Sequence, residues 1–160
     1  MVNTVIGARV GLTLAAAASA DDITDISDLY GRWDDAVQSS SIEGYIDVLD
    51  QRVRLILPGA PDVEGRDNYA AFLQNVLPVA AYRLELLGEI DIDVVGDIAL
   101  VEYHKKIEMT LASAQTITEP GALNSDISVN KYIDVLRRQE DGGWKVYRHA
   151  WTPSEYALSQ

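Results

Sequence analysis

Three stretches of the chain carry titratable side chains at every second position. Leu100, Glu102, His104 and Lys106 alternate through IALVEYHKKIEMTLA, Tyr132 and Asp134 through KYIDVL, and Tyr147, His149 and Trp151 through WKVYRHAW. In an extended strand residues i and i+2 share one face, so each set stands together. Carboxyl and imidazole groups meeting in a dry site can act as acid and base without a cofactor. Burial raises a carboxyl pKa, while imidazole titrates near neutrality. The chain has two histidines, His104 and His149, and both belong to these sets. With so few histidines and no cysteine, neither a histidine-rich nor a thiolate metal site is expected, and no cofactor is called for.

The same alternation admits a plainer reading. Val101, Tyr103 and Ile107 would then be the buried side of their strand, and Glu102, His104, Lys106 and Glu108 a solvated face. His149 would be a satisfied histidine packed between Tyr147 and Trp151. Asp134 would be an edge carboxylate paired with Arg137 or Arg148, although Ile133 and Val135 on the opposite face favour burying it.

These strands need a frame. From Asp21 to Ser39, Ile23, Ile26, Leu29, Tyr30, Trp33 and Val37 recur at helical spacing behind early acidic residues, which predicts a helix with one apolar stripe. Trp33 lies on that stripe as wall or core, and Asp34 and Asp35 fall on its solvent side. A short second helix follows, with Ser41 as its cap and Tyr45 either filling the core or projecting toward a cavity mouth. RVRLIL alternates as a strand until Pro58-Gly59-Ala60-Pro61 stops it. Residues 66–77 read as a third helix. Beyond Pro78 come long strands with turns at Gly96-Asp97 and Asp141-Gly142-Gly143, and a polar loop over 113–126. Helices followed by long antiparallel strands imply an α+β domain with one sheet face covered by helices.

At 160 residues and 48% hydrophobic positions, the chain supports one core. Asp and Glu number 25 against 13 Lys and Arg, a net charge of −12, so nucleic acids and anionic membranes are not expected partners. Residues 1–20 hold one Arg9, an apolar run and Ala18-Ser19-Ala20. They read as an extra amino-terminal segment, retained in a cytoplasmic protein, or alternatively as a signal peptide of an exported one. The run is too short and alanine-rich for a confident membrane span.

The segment order, the helix in EGRDNYAAFL and above all KYIDVLRRQEDGGWKVYRHAW resemble the nuclear-transport-factor-2-like superfamily, in its SnoaL-like and ketosteroid-isomerase-like branch. Tyr-x-Asp, basic residues, an Asp-Gly turn, a Trp opening the next strand and a polar residue five positions later are together typical of that branch. The likeness runs from about Asp21 to the carboxyl end, so the domains are taken as a segment 1–20 and a single domain 21–160. It implies a cone: three amino-terminal helices packed in a curved antiparallel sheet around a pocket for a small apolar molecule.

The resemblance also implies roles. Asp134 matches the position where ketosteroid isomerases hold a protonated aspartic acid as an oxyanion donor, and Trp151 matches an aromatic pocket wall. The isomerase base falls on Leu57 and the first-helix tyrosine on Trp33; the catalytic aspartate of dehydratase and dehydrochlorinase relatives falls on Gln38, and their histidine on Glu85. The cavity is therefore kept and its chemistry changed. On this likeness the Leu100-to-Lys106 set faces inward beside Tyr132, Asp134, Tyr147, His149 and Trp151. His104, Asp134 and His149 become the catalytic candidates, and Trp33, Tyr45, Leu100, Glu102, Tyr132, Tyr147 and Trp151 the substrate-binding ones. The implied activity is a cofactor-free isomerase, dehydratase or epoxide-opening cyclase acting on a polyketide- or terpenoid-like metabolite. The alternative is a non-catalytic ligand-binding or dimerisation module, since this fold does not fix function. A homodimer through Val101, Tyr103, Ile107, Ile133 and Val135 is expected in either case.

Overall fold

A computed structural model describes residues 19–112, 116–123 and 125–155 of the chain. The reading of residues 1–20 as an extra or signal-like segment falls almost wholly outside them.

The first helix, α1 (Ala20–Gln38), starts where the sequence supplies a capping box: the Ser19 side chain accepts from Asp22 N, and Asp22 reaches back to Ser19 N. Its buried stripe of Ile26, Leu29, Tyr30, Trp33 and Ala36 follows the predicted spacing. Ser41 caps α2 (Ile42–Asp47) by accepting from Gly44 N at 3.1 Å. Strand β1 (Leu49–Ile56) runs up to the proline-glycine turn, and β2 (Val63–Glu64) pairs back on it. The third helix, α3 (Arg66–Gln74), follows, so among the described residues two α-helices precede the first strand and one lies within the strand order. Strands β3 (Ala80–Val95), β4 (Ile98–Leu111), β5 (Ile127–Arg138) and β6 (Trp144–Pro153) complete the sheet.

The six strands lie in the order β2-β1-β6-β5-β4-β3. From β3 to β6 every neighbouring pair is antiparallel, as expected, but β1 runs parallel to β6. The sheet is thus mixed, which corrects the fully antiparallel expectation. Alternation in RVRLIL reports that one face is buried and carries no information about the direction of the partner strand.

The larger correction concerns faces. Strand β4 turns Val101, Tyr103, Lys105, Ile107 and Met109 toward the helices, whereas Leu100, Glu102, His104 and Lys106 lie on the outer face. Tyr103 stands opposite Tyr132 and Val101 opposite Asp134, so the inward set of β5 selects the odd-numbered residues of β4. The expected dimer face changes accordingly: Val101, Tyr103 and Ile107 are core, and the outer apolar residues of these strands include Ile98, Leu100, Ile127, Ile133 and Val135. A β-bulge corrects a second face. Val135 pairs with Arg148 and Leu136 with Val146, which leaves Tyr147 as an extra residue in β6. Tyr147 consequently sits outside the cone, between the guanidinium groups of Arg148 at 3.6 Å and Arg137 at 4.5 Å. Beyond the bulge, His149 and Trp151 face inward.

The amino-terminal turn of α1 is tied to the far end of the sheet. Asp22 accepts from Arg138 at 2.7 Å and from Trp144 Nε1 at 3.2 Å. Asp50 anchors the base of β1 by accepting from Arg137 at 2.6 Å and Gln139 at 3.0 Å. Among the described residues no helix is long and apolar enough to cross a membrane.

Candidate functional site

A cavity of about 120 Å³ opens between α1, α3 and the inward face of the sheet. Its wall is dominated by apolar and aromatic side chains such as Leu55, Phe72, Leu73, Leu77, Ile107 and Trp151. That composition is typical of a site for a small organic molecule, and a dry cavity near 150 Å³ accepts a single aromatic ring.

The polar group at one end begins behind the wall. Asp134 on β5 is fully buried. Its Oδ2 accepts from the Tyr30 hydroxyl of α1 at 2.7 Å and from the Tyr103 hydroxyl of β4 at 3.1 Å, and its Oδ1 lies 2.7 Å from His149 Nδ1 of β6. Two phenol hydroxyls thus donate to one carboxyl oxygen, and an imidazole nitrogen stands against the other. In the Nδ1–H tautomer the ring donates to Asp134 and keeps Nε2 as its second nitrogen, on a side chain that forms part of the cavity wall.

Aromatic packing holds this pair in place. The His149 ring lies 4.9 Å from Trp33 and 5.6 Å from Tyr132, the latter nearly parallel, and Tyr132 stacks on Tyr103 at 4.9 Å. Trp33 meets Tyr45 edge-on at 5.3 Å, and the Tyr45 and Tyr69 hydroxyls share a hydrogen bond of 2.8 Å. Burial pushes the phenols of Tyr30, Tyr45, Tyr69, Tyr103 and Tyr132 up, with Asp134 adding to the rise, so all remain neutral hydroxyls. The Trp33 indole N–H is buried against the Tyr45 hydroxyl without the geometry of a hydrogen bond.

A second polar group lies elsewhere on the wall. Lys105 of β4 is buried, its ammonium bonded to Asp34 of α1 and 5.2 Å from the centre of the Tyr103 ring. Both Lys105 and Asp34 line the cavity.

The residues singled out in the sequence divide clearly. Trp33, Tyr45, Tyr132, His149 and Trp151 line the cavity, and Asp134 supports it from behind. His104, Leu100, Glu102 and Tyr147 are on the outside and do not meet Asp134. His104 stands opposite Leu87 and Lys131, and Glu102 pairs with Lys131 at 2.8 Å. The proposed proton partner of Asp134 is thus His149 and not His104. Tyr69, Tyr103, Asp34 and Lys105 were not among the candidates. The buried-side pattern of Val101, Tyr103 and Ile107 includes position 105 by its period of two, but a lysine there reads as polar until Asp34 is placed beside it.

The profile of the SnoaL-like domain matches residues 18–149. No curated protein matches the chain. Solved structures share the fold. An NTF2-like protein of unknown function from Pseudomonas putida has a TM-score of 0.67 at 21% identity, over 89% of this chain and 94% of that one. A candidate dehydratase of the NTF2-like family from Streptomyces avermitilis gives 0.70 at 17% identity, over 85% and 99%. A ketosteroid isomerase-like protein from Erwinia carotovora atroseptica gives 0.65 at 18% identity, over 84% and 98%. A cone whose cavity is walled by α1 and the inward residues of β4 to β6, matched along most of its length by this profile, places the chain in the SnoaL-like domain family, on the NTF2-like fold.

Proposed function

We propose that the chain is an acid-base enzyme that moves a proton on a small, largely apolar molecule held in the cone, the step common to isomerases, dehydratases and epoxide-opening cyclases. The observation that carries this reading is the Asp134–His149 pair, buried at 2.7 Å with Nε2 left for the cavity. His149 takes or gives the proton, Asp134 fixes its tautomer, and Tyr30 and Tyr103 fix Asp134. The reaction needs only proton transfer, which a positioned imidazole accelerates by about a hundredfold or more.

The test uses a generic probe. A base removes the ring C–H of 5-nitrobenzisoxazole while the N–O bond breaks, giving a coloured cyanophenolate. The wild type should accelerate this elimination over free imidazole, and His149→Ala should lose about a hundredfold of the rate. Equal rates in the two proteins would refute the assignment.

A second reading is a ligand-binding module without turnover. It is favoured by the saturation of Asp134, whose three hydrogen bonds would serve equally well to fix a core. No acceleration in the wild type, together with binding of small aromatics, would establish it. In either reading the outer apolar residues Leu100, Ile133 and Val135 pair two copies through the convex face.

A further inference from the structure

The Lys105–Asp34 pair is unexplained by proton transfer at His149. A lysine and an aspartate set into an apolar wall carry a desolvation cost that packed hydrophobic residues would avoid. Their backbone positions also differ from those of the dyad. Val101, Asp134 and His149 stand in one row across the inward face, Tyr103, Tyr132 and Trp151 in the next, and Lys105 with Asn130 in the third. Four residues along and two strands across put Lys105 and His149 about 17 Å apart at Cα. Both side chains nevertheless reach the same cavity. The cavity wall therefore carries two polar groups, the Asp134–His149 pair and the Lys105–Asp34 ion pair, with the Tyr103 ring beside both.

The ion pair also defines what it can take. The Lys105 ammonium has three donors, of which Asp34 Oδ1 uses one. Asp34 bonds through that single oxygen and its side chain is 35% exposed, which leaves Oδ2 as a further acceptor. A ligand hydroxyl can accept from Lys105 and donate to Asp34 at once. A carboxylate would meet the charge of Asp34, and an ammonium that of Lys105, so a neutral hydroxyl suits the pair best. Resting on the reading of the cavity as a small-molecule site, we propose that Lys105 and Asp34 form a subsite for an uncharged hydroxyl group, and that the ligand is an alcohol or phenol on an apolar ring.

Phenol and benzene test this directly, because they differ only in that group. Their affinities are measured by NMR titration of the wild type and of Lys105→Met, and the phenol-to-benzene preference is compared between proteins so that the different hydration of the probes cancels. Asp34→Asn/Lys105→Met is measured alongside, since it removes both charges and leaves neither unpaired. The preference should fall by roughly tenfold in both variants, the scale of a hydrogen bond to a charged group, while benzene binding is retained. An unchanged preference with benzene still bound would overturn the hydroxyl subsite and leave the cavity intact. Failure of the wild type to bind either probe would overturn the cavity reading, and the subsite with it.

Discussion

Replacing Asp134 by Asn keeps the shape of the side chain and removes the ionisable group that, in the proposed mechanism, accepts from Tyr30, Tyr103 and His149 as a carboxylate. The amide oxygen can still accept from Tyr30 and Tyr103, now 2.7 and 3.1 Å from Oδ2, but the amide nitrogen must then face His149. A nitrogen that donates forces Nδ1 to accept, so the imidazole changes tautomer and Nε2 becomes protonated. Hydrogen bonds to a charged acceptor contribute about 1.5–3 kcal/mol and neutral ones about 0.5–1.5, so three weakened bonds cost about 3 kcal/mol. Burying a neutral amide instead of a charge offsets part of this, leaving a net loss of about 2 kcal/mol. Urea unfolding should show a lower midpoint with an unchanged slope. Nitrogen-15 shifts of the His149 ring should report the Nε2–H tautomer, while those of His104, on the outer face, stay as in the wild type. Elimination of 5-nitrobenzisoxazole should fall to the level of His149→Ala. An unchanged His149 tautomer would show that Asp134 does not orient the ring, and the catalytic reading would fall with it.

The Asp22 carboxyl is held well below the usual range, chiefly by its bond to Arg138, with Ser19 and Trp144 adding to the effect. Its folded value lies below its unfolded one, so its contribution is fully present above about pH 4 and is lost as the pH falls further. Asp22→Asn should flatten the acid limb of the stability profile below pH 4, seen by circular dichroism; a limb as steep as in the wild type would refute this. Gly121 has φ +76°, and a Cβ there would lie 2.8 Å from Leu57 Cβ and 2.9 Å from Ala60 Cβ. Gly121→Ala should cost about 2 kcal/mol or more in urea unfolding, and a cost below about 0.5 kcal/mol would show that the loop simply moves away. Ile133→Lys on the convex face should convert a dimer to a monomer in sedimentation velocity, and a wild type that already sediments as a monomer would dispose of the dimer.

The helices and inward-facing strand segments were legible because burial imprints its period. The stripe of Ile26, Leu29, Tyr30 and Trp33 follows from spacing, as does the shared face of Tyr132 with Asp134 and of His149 with Trp151, while the likeness to relatives turned those two faces inward. Strand β4 shows what spacing leaves open. Its alternation divides the residues into two sets, and the apolar set of Val101, Tyr103 and Ile107 is the buried one; likeness to relatives pointed to the polar set and misplaced His104 and Glu102. Register would have resolved this, but a long connection between β4 and β5 fixes no register as a tight turn would. Tyr147 was beyond reach for another reason, since a bulge adds one residue without changing composition. Lys105 and Asp34 became visible only as a pair from distant segments.

Strand β6 is the last of the described strands and sits in the interior of the sheet, with β1 on one side and β5 on the other. The pairing of Leu49 with Val146 joins positions nearly a hundred residues apart. During synthesis β1 and β5 therefore wait with open edges until β6 leaves the ribosome, and α1 lacks its Trp144 tether until then. Completion of the barrel-like wall and arrival of His149 in the cavity are one event, so no shortened product should carry a half-built active centre. Chains ending before Trp144 should be degraded by protease under conditions that spare the full-length protein, and resistance in such a chain would mean that the first five strands fold without the sixth.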